Sequence, residues 1–285
     1  MCVYEVVWLK LSGRSLREVR FISPTRQRRQ PSRTTLVVSE EDGVRYLHQG
    51  GDYIQSAMRI DAPFDLELDY TRTMLAFLLF VPRPRDVLFL GLGGGSLPKF
   101  LFKRVPRVRL RVLELDPAVI TAARALFHLP KNSARLQVDC GDGVCAVYAA
   151  RGAYDVLVLD AFDDGAQVSA CVTEDFYRAA AQALKPGGVL VANYFGHDRR
   201  YPTYLKRLAR AFDGRVLSLD AREDGNVIAL AFQYGPDHVA WQSLREVAAG
   251  LSARLDIDFD QMVSGLRRRN RYTRRDLCIV QGGEA

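Results

Sequence analysis

The chain has 285 residues, 48% of them hydrophobic and 26% charged, with a formal net charge of +7. That is the profile of a globular protein with room for one large unit and a smaller one. No apolar run reaches the roughly 20 residues of a membrane-spanning helix. The apolar start Met1-Cys2-Val3-Tyr4-Glu5-Val6-Val7-Trp8 lacks the basic flank and cleavage site of a secretory signal, so a cytoplasmic location is expected.

Residues 1–33 hold one apolar segment and then an arginine-rich stretch with Pro24 and Pro31. From Thr34 to Ile60 short β-type runs alternate with turn signals, among them Glu41-Asp42-Gly43 and Gly50-Gly51, which predicts a small antiparallel unit. Residues 68–81 read as a helix stopped by Pro82 and Pro84. Strand and helix then alternate. Strands are predicted at 86–90, 110–115, 135–138, 155–160, 188–194, 215–219 and 226–233, and helices at 96–104, 117–127, 174–184 and 201–212. A helix over 237–254 and a basic tail close the chain. Alternation of this kind with continuously apolar strands predicts an α/β fold, a mostly parallel Rossmann-like sheet with helices on both faces. The expected division is 1–80 for the N-terminal segment, small β domain and linking helix, and 81–285 for the nucleoside-binding domain with its C-terminal helix and tail.

The five cysteines, Cys2, Cys140, Cys145, Cys171 and Cys278, form no CxxC pair and are expected to be buried free thiols rather than metal ligands or a disulfide framework. The four histidines show no ligand spacing, and no metal is expected. Positive charge gathers in two clusters, Arg14, Arg17, Arg20, Arg26, Arg28, Arg29 and Arg33 near one end and Arg267, Arg268, Arg269, Arg271, Arg274 and Arg275 near the other. Such clusters can meet phosphate backbones, but few aromatic residues interleave them, and nucleic acid is a subordinate expectation.

The chemistry-bearing residues lie at the ends of the predicted strands. The run Val87-Leu88-Phe89-Leu90 enters the turn Gly91-Leu92-Gly93-Gly94-Gly95, and a second apolar run ends in Glu114-Leu115-Asp116. Glycines there let backbone approach a nucleoside, and a carboxylate on the next strand can accept ribose hydroxyls. Glu114 is assigned that role, while Asp116 before Pro117 reads as a helix cap. Gly141-Asp142-Gly143 follows the third strand, where Asp142 can accept from an adenine amino group. Asp160 ends the fourth strand with Asp163 and Asp164 nearby, and a carboxylate at that mouth can orient a cation or take a proton from an amine. Lys185-Pro186-Gly187-Gly188 reads as a helix end and tight turn before another buried strand, a pattern that recurs in class I methyltransferase-like folds.

In this order the motifs resemble the spermidine/spermine synthase family, the polyamine aminopropyltransferases, from Gly43 to Phe232 and most strongly from Val87 to Val191. The resemblance implies a class I methyltransferase-type sheet with a small N-terminal β domain, and commonly a homodimer. It also implies decarboxylated S-adenosylmethionine as a co-substrate rather than a tightly bound cofactor, and a small amine as acceptor. By position it makes Glu114 the ribose acid, Asp142 the adenine-side acid, Asp160 the catalytic base and Asp163 the second acid of that loop. Gln55 resembles the family's glutamine ahead of the first helix, and Tyr70 its tyrosine. Three departures stand out. Gly94 replaces the acid that holds the donor's amine, Thr71 and Arg72 replace a His/Gln-Glu pair, and Asp160-Ala161-Phe162-Asp163-Asp164 replaces Asp-Ser-Ser-Asp-Pro. Arg72 and Gly94 are therefore expected to suit a donor that still carries a carboxylate, S-adenosylmethionine itself. Three readings remain: aminopropyl transfer, methyl transfer, and non-catalytic binding of an adenosyl nucleoside.

Overall fold

A computed structural model describes residues 3–11, 14–22, 36–49, 54–163, 166–223 and 225–281. Strands β1 (Val3–Leu11) and β2 (Arg14–Ile22) pair as an antiparallel hairpin. A three-stranded antiparallel sheet follows, formed by β3 (Leu36–Glu41), β4 (Val44–Gln49) and β5 (Ile54–Arg59). Helix α1 (Asp69–Met74) passes directly into a 3-10 turn at Leu75–Leu79. The alternating part is β6 (Asp86–Leu90), α2 (Ser96–Arg104), β7 (Arg109–Glu114), α3 (Pro117–Leu126), β8 (Leu136–Cys140), α4 (Gly143–Ala149) and β9 (Tyr154–Leu159). A two-residue hairpin, β10 (Phe162–Asp163) with β11 (Ala166–Gln167), precedes α5 (Glu174–Ala183), β12 (Leu184–Phe195), α6 (Tyr201–Ala211), β13 (Val216–Asp220) and β14 (Asn226–Phe232). The chain closes with β15 (His238–Ala240), α7 (Trp241–Leu255), α8 (Phe259–Gly265) and β16 (Asp276–Cys278).

The central sheet has seven strands in the order β13-β14-β12-β9-β6-β7-β8. The five strands from β12 to β8 run parallel, and β14 and β13 are antiparallel to their neighbours. From β6 the chain winds outward through β7 and β8, then returns to place β9 and β12 on the other side of β6. The gap between β6 and β9 is thus a topological switch point, where such sheets open a crevice at the carboxyl ends of their strands.

Alternation along each strand feeds two cores. Val87, Phe89, Val156, Val158, Val189 and Val191 face the core that also holds Leu36, Val38, Leu47 and Met58 of the small sheet. Leu88, Leu90, Leu157, Leu159, Leu190 and Ala192 face the core under α5 and α6, with Phe176, Tyr177 and Leu208. Both strand faces are buried, which is why these runs carry no polar alternation. At the amino ends of β6 and β9, Lys185 Nζ sits 2.7 Å from Asp86 Oδ2 and 3.1 Å from Asp155 Oδ1. Asp155 Oδ2 also accepts from the backbone N–H groups of Arg85 and Asp86, both at 2.8 Å. The end away from the crevice is thereby locked.

Several expectations are corrected. The helix predicted over 68–81 divides at Leu75 into an α and a 3-10 part, and α7 begins at Trp241 because His238–Ala240 pair with β16. The C-terminal arginine-rich stretch packs on the fold rather than trailing from it, although Arg268, Arg269, Arg271, Arg274 and Arg275 are exposed. Leu266, Leu277 and Ile279 are buried, the Arg267 guanidinium lies 4.3 Å from the Trp241 ring centroid, and Arg269 pairs with Asp220. Cys140 and Cys145 are exposed, and only Cys171 among the described cysteines is fully buried. The N-terminal arginines, Cys2 and the side chains of residues 1–35 lie outside what the structure describes.

Lys99 on α2 ties the small sheet to the large one. It is 1% exposed, and its ammonium donates to the Phe127 carbonyl at 2.6 Å while lying 3.3 Å from Met58 Sδ on β5. Among the described residues no carboxylate pairs with it, and burial pushes its amine down to about 7. The unfolded chain therefore binds more protons than the folded one between pH about 7 and 10.5, and stability should rise with pH across that window. Urea unfolding across the window is expected to show this rise in the wild type and its loss in Lys99→Met. An unchanged slope in the variant would contradict the assignment.

Candidate active site

The carboxyl ends of β6 and β9 meet at close quarters. Asp160 N–H donates to the Leu90 carbonyl at 3.0 Å, and a side chain at Gly91 would place its Cβ 2.2 Å from the Asp160 carbonyl oxygen. Gly91 also has φ +92°, so both conformation and space demand glycine. Beyond it the loop runs through Gly93 and Gly95, with Gly95 N–H closing on the Leu92 carbonyl at 2.9 Å as α2 begins. Glu114 ends β7 beside this loop. Its Oε2 accepts from Leu92 N–H and its Oε1 from Asp116 N–H, each at 2.9 Å. Each oxygen keeps accepting capacity for a ligand hydroxyl. Burial raises the Glu114 carboxyl above the ordinary range, and the backbone donors work against that shift. Leu115, 75% exposed, leaves an apolar surface next to the acid.

Asp142 caps a helix that the sequence reading did not include. Its Oδ1 accepts from Val144 N–H at 2.8 Å and Cys145 N–H at 3.4 Å, so it is the N-cap of α4, with Gly143 as the first helical residue. Its Oδ2 accepts from the Cys145 thiol at 3.3 Å. Asp116 is likewise a cap, accepting from Ala118 N–H at 2.8 Å with Pro117 opening α3.

Strand β5 supplies the other wall. Gly94 N–H donates to Ser56 Oγ at 2.8 Å, and a Cβ on Gly93 would stand 2.7 Å from the same oxygen. Gln55 precedes Ser56, and the Tyr70 hydroxyl at the start of α1 donates to the Gln55 carbonyl at 3.3 Å. Arg72 points elsewhere. Its Nε donates to the Leu66 carbonyl at 2.9 Å, its Nη2 to the Glu67 carbonyl at 2.5 Å, and its Nη1 lies 4.0 Å from Asp69 Oδ1. The guanidinium braces the turn before α1. At Gly94 a Cβ would meet the buried Phe127 ring at 2.9 Å and Ser56 Cβ at 3.0 Å, so the space for a side chain is already filled.

Asp160 follows β9 at the switch point and is partly exposed. Its Oδ1 accepts from Asn193 Nδ2 at 2.9 Å, and among the described residues no charge offsets burial, which pushes the carboxyl up to about 6. Phe162 and Phe195 stand just beyond, their ring centroids 4.6 Å apart, and His197 stacks on Phe195 at 5.5 Å. Asp163 lies on β10, but its side chain and Asp164 fall outside the described residues.

The structure thus brings Gln55, Tyr70, the Gly91–Gly95 loop, Glu114 and Asp160 to one end of the sheet around the switch point. Sequence reasoning did not single out Ser56, Phe127 or Asn193. Ser56 adjoins Gln55, and Asn193 ends the apolar run Val189–Ala192, which are the local signals that mark them.

A model of the spermine/spermidine synthase domain matches residues 67–198. Over 242 residues the chain is 38% identical to the polyamine aminopropyltransferase of Chromobacterium violaceum, covering 85% of this chain and 93% of that protein. A spermidine synthase solved in complex with the transition-state analogue AdoDATO superposes with a TM-score of 0.66 at 20% identity, covering 93% of this chain and 91% of that one. Human methyltransferase-like protein 13, solved in complex with SAH, superposes at 0.60 and 26% identity over 67% of this chain and 93% of its own. With 38% identity spanning 85% of this chain and 93% of that polyamine aminopropyltransferase, the chain belongs to the spermine/spermidine synthase family.

Proposed function

We propose that the protein transfers an aminopropyl group from decarboxylated S-adenosylmethionine to the nitrogen of a small amine, with Asp160 as the base. The observation that carries this reading is Asp160 itself: a carboxyl held near 6 at the switch point, against the glycine loop. A base works best when its proton affinity lies near the working pH. Glu114 accepts the ribose hydroxyls, Leu115 lies against the base, and the Gly91–Gly95 backbone passes the sulfur. Asp160 accepts the proton of the amine as its nitrogen attacks the carbon beside the sulfonium. The carbon–sulfur bond breaks and its electron pair returns to sulfur, so methylthioadenosine leaves uncharged. Asp163 and Tyr70 belong to the acceptor side of this reading, Gln55 to the donor side, and Asp142 to the adenine side through the α4 cap. The same reading carries a cytoplasmic homodimer, on the family resemblance alone.

Asp160→Asn should lower turnover by a factor on the order of 10² to 10⁴, the usual contribution of a positioned general base. In the wild type the rate should fall about tenfold per pH unit below pH about 6, where Asp160 is protonated. The carboxyl is raised in the folded chain, so its contribution to stability is full at acid pH and is lost as pH rises through about 6. Above that pH, Asp160→Asn should therefore stabilise the protein, by up to about 3 kcal/mol, in chemical unfolding. Turnover that survives Asp160→Asn would remove the base from the mechanism.

A second reading, methyl transfer from intact S-adenosylmethionine, is favoured by one observation. The Phe127 ring fills the space at Gly94 where a carboxylate for the aminopropyl ammonium would stand. Gly94→Asp alone should cost about 1–3 kcal/mol through overpacking. Combined with Phe127→Ala the ring contact is relieved and the Ser56 Cβ contact at 3.0 Å remains. Calorimetric titration of that double variant should show a stronger preference for decarboxylated over intact donor than in the wild type. An unchanged preference would mean that Gly94 does not set donor choice. The mass of the product, aminopropylated or methylated, separates the two readings.

A further inference from the structure

Behind Asp160 lies a row of buried amides that the transfer step does not use. Asn193, 1% exposed on β12, donates its Nδ2 to Asp160 Oδ1 at 2.9 Å. Its Oδ1 accepts from Nδ2 of Asn226, 4% exposed on β14, at 2.7 Å. The pairing of the two strands sets Asn226 opposite Phe195, two residues from Asn193 along β12. The Asn193 backbone carbonyl is taken by Nε2 of Gln167, which is 5% exposed on β11. Strands β12 and β14 are otherwise apolar through Val189–Ala192 and Val227–Phe232, where amides are costly to bury without full hydrogen bonding.

A carboxamide has a donating and an accepting end of nearly equal shape, and its neighbours decide which way it points. The Asn226 N–H occupies the accepting end of Asn193. Asn193 is left with only its N–H to offer Asp160, and an N–H favours the carboxylate over the protonated acid. We propose that Asn226 and Asn193 are positioning residues, a two-amide relay that fixes the direction of the hydrogen bond reaching Asp160 and so keeps that residue ready to accept a proton.

This inference rests on Asp160 being the base. Among the described side chains, the titratable groups on the surrounding elements are Glu114 on β7, Asp142 before α4, Cys171 after β11, the Tyr177–Tyr194 pair on α5 and β12, and His197 after β12; the side chain of Asp163 on β10 and Asp164 lie outside them. Among the described groups, burial raises the Asp160 carboxyl and Asn193 alone acts against that rise. The relay is therefore the polar control on Asp160 among the described side chains.

The test is a titration of the Asp160 carboxyl in full-length, ligand-free protein by carbon NMR of labelled aspartate, beside the pH profile of turnover. Asn193→Leu removes the donor and should move the carboxyl upward; a shift of about one pH unit would lower turnover about fivefold at pH about 6 and about tenfold well below it. Asn226→Leu frees Asn193 to turn and should move the carboxyl in the same direction by less. The double variant should match Asn193→Leu, because Asn226 acts only through Asn193. Asn226→Ser serves if leucine prevents folding, and it should shift the carboxyl likewise. An unmoved carboxyl in both Asn226 variants, or an equal shift from Asn226→Leu when Asn193 is already leucine, overturns the relay. Loss of the base reading shows separately, as turnover that persists in Asp160→Asn while the carboxyl titration still follows Asn193.

Discussion

Everything at the functional end of this protein depends on the close approach of two strand ends. The Asp160 carbonyl lies so near Gly91 that no side chain fits between them, and the Asp160 N–H is fixed on the Leu90 carbonyl. That contact makes the loop after β6 and the acid after β9 parts of one rigid body. The chain leaves β6 in one direction and returns to its other side for β9, so the crevice is a consequence of strand order rather than of any single residue. The ion pairs of Lys185 at the opposite end hold β6 and β9 in register, and the geometry at the crevice inherits that precision.

On the proposed reading, the two sides of the switch point differ in character around this fixed point. The side assigned to the nucleoside holds backbone and one acid: the glycine loop, and Glu114 with both oxygens anchored by N–H groups. The side assigned to the acceptor holds a buried acid, an amide and aromatic rings: Asp160, Asn193, Phe162 and Phe195. Gly94 packs against Phe127, and Arg72 braces the carbonyls of Leu66 and Glu67 rather than facing a substrate carboxylate. The departure at residue 94 is thus embedded in core packing, and the departure at residue 72 is embedded in a turn.

The sheet was legible because its strands are buried on both faces. Val87–Leu90 and Val156–Leu159 are continuous apolar runs, and the acids that follow them stand at strand ends by simple counting. Glu114 and Asp160 were readable for that reason. Helix α4 was not, because it opens on Gly143 and its cap Asp142 resembles a plain turn. Asn193, Asn226 and Ser56 escaped because the meaning of each comes from a partner 33 or 38 positions away. The arginines near the C-terminus read as a solvated stretch until Trp241 and Asp220 supply the surfaces that bind them. Local pattern reports which face is buried, whereas partner identity is a property of the folded chain.

The central claim is that an adenosyl nucleoside sits at the β6–β9 switch point with its ribose on Glu114. Calorimetric titration with methylthioadenosine, the portion shared by both donors, tests it most directly in the wild type and in Glu114→Gln. The account predicts one site per chain in the wild type and an affinity loss of at least about tenfold in the variant, the equivalent of one charge-assisted hydrogen bond. Equal affinity in the two proteins, or no binding by either, would contradict it.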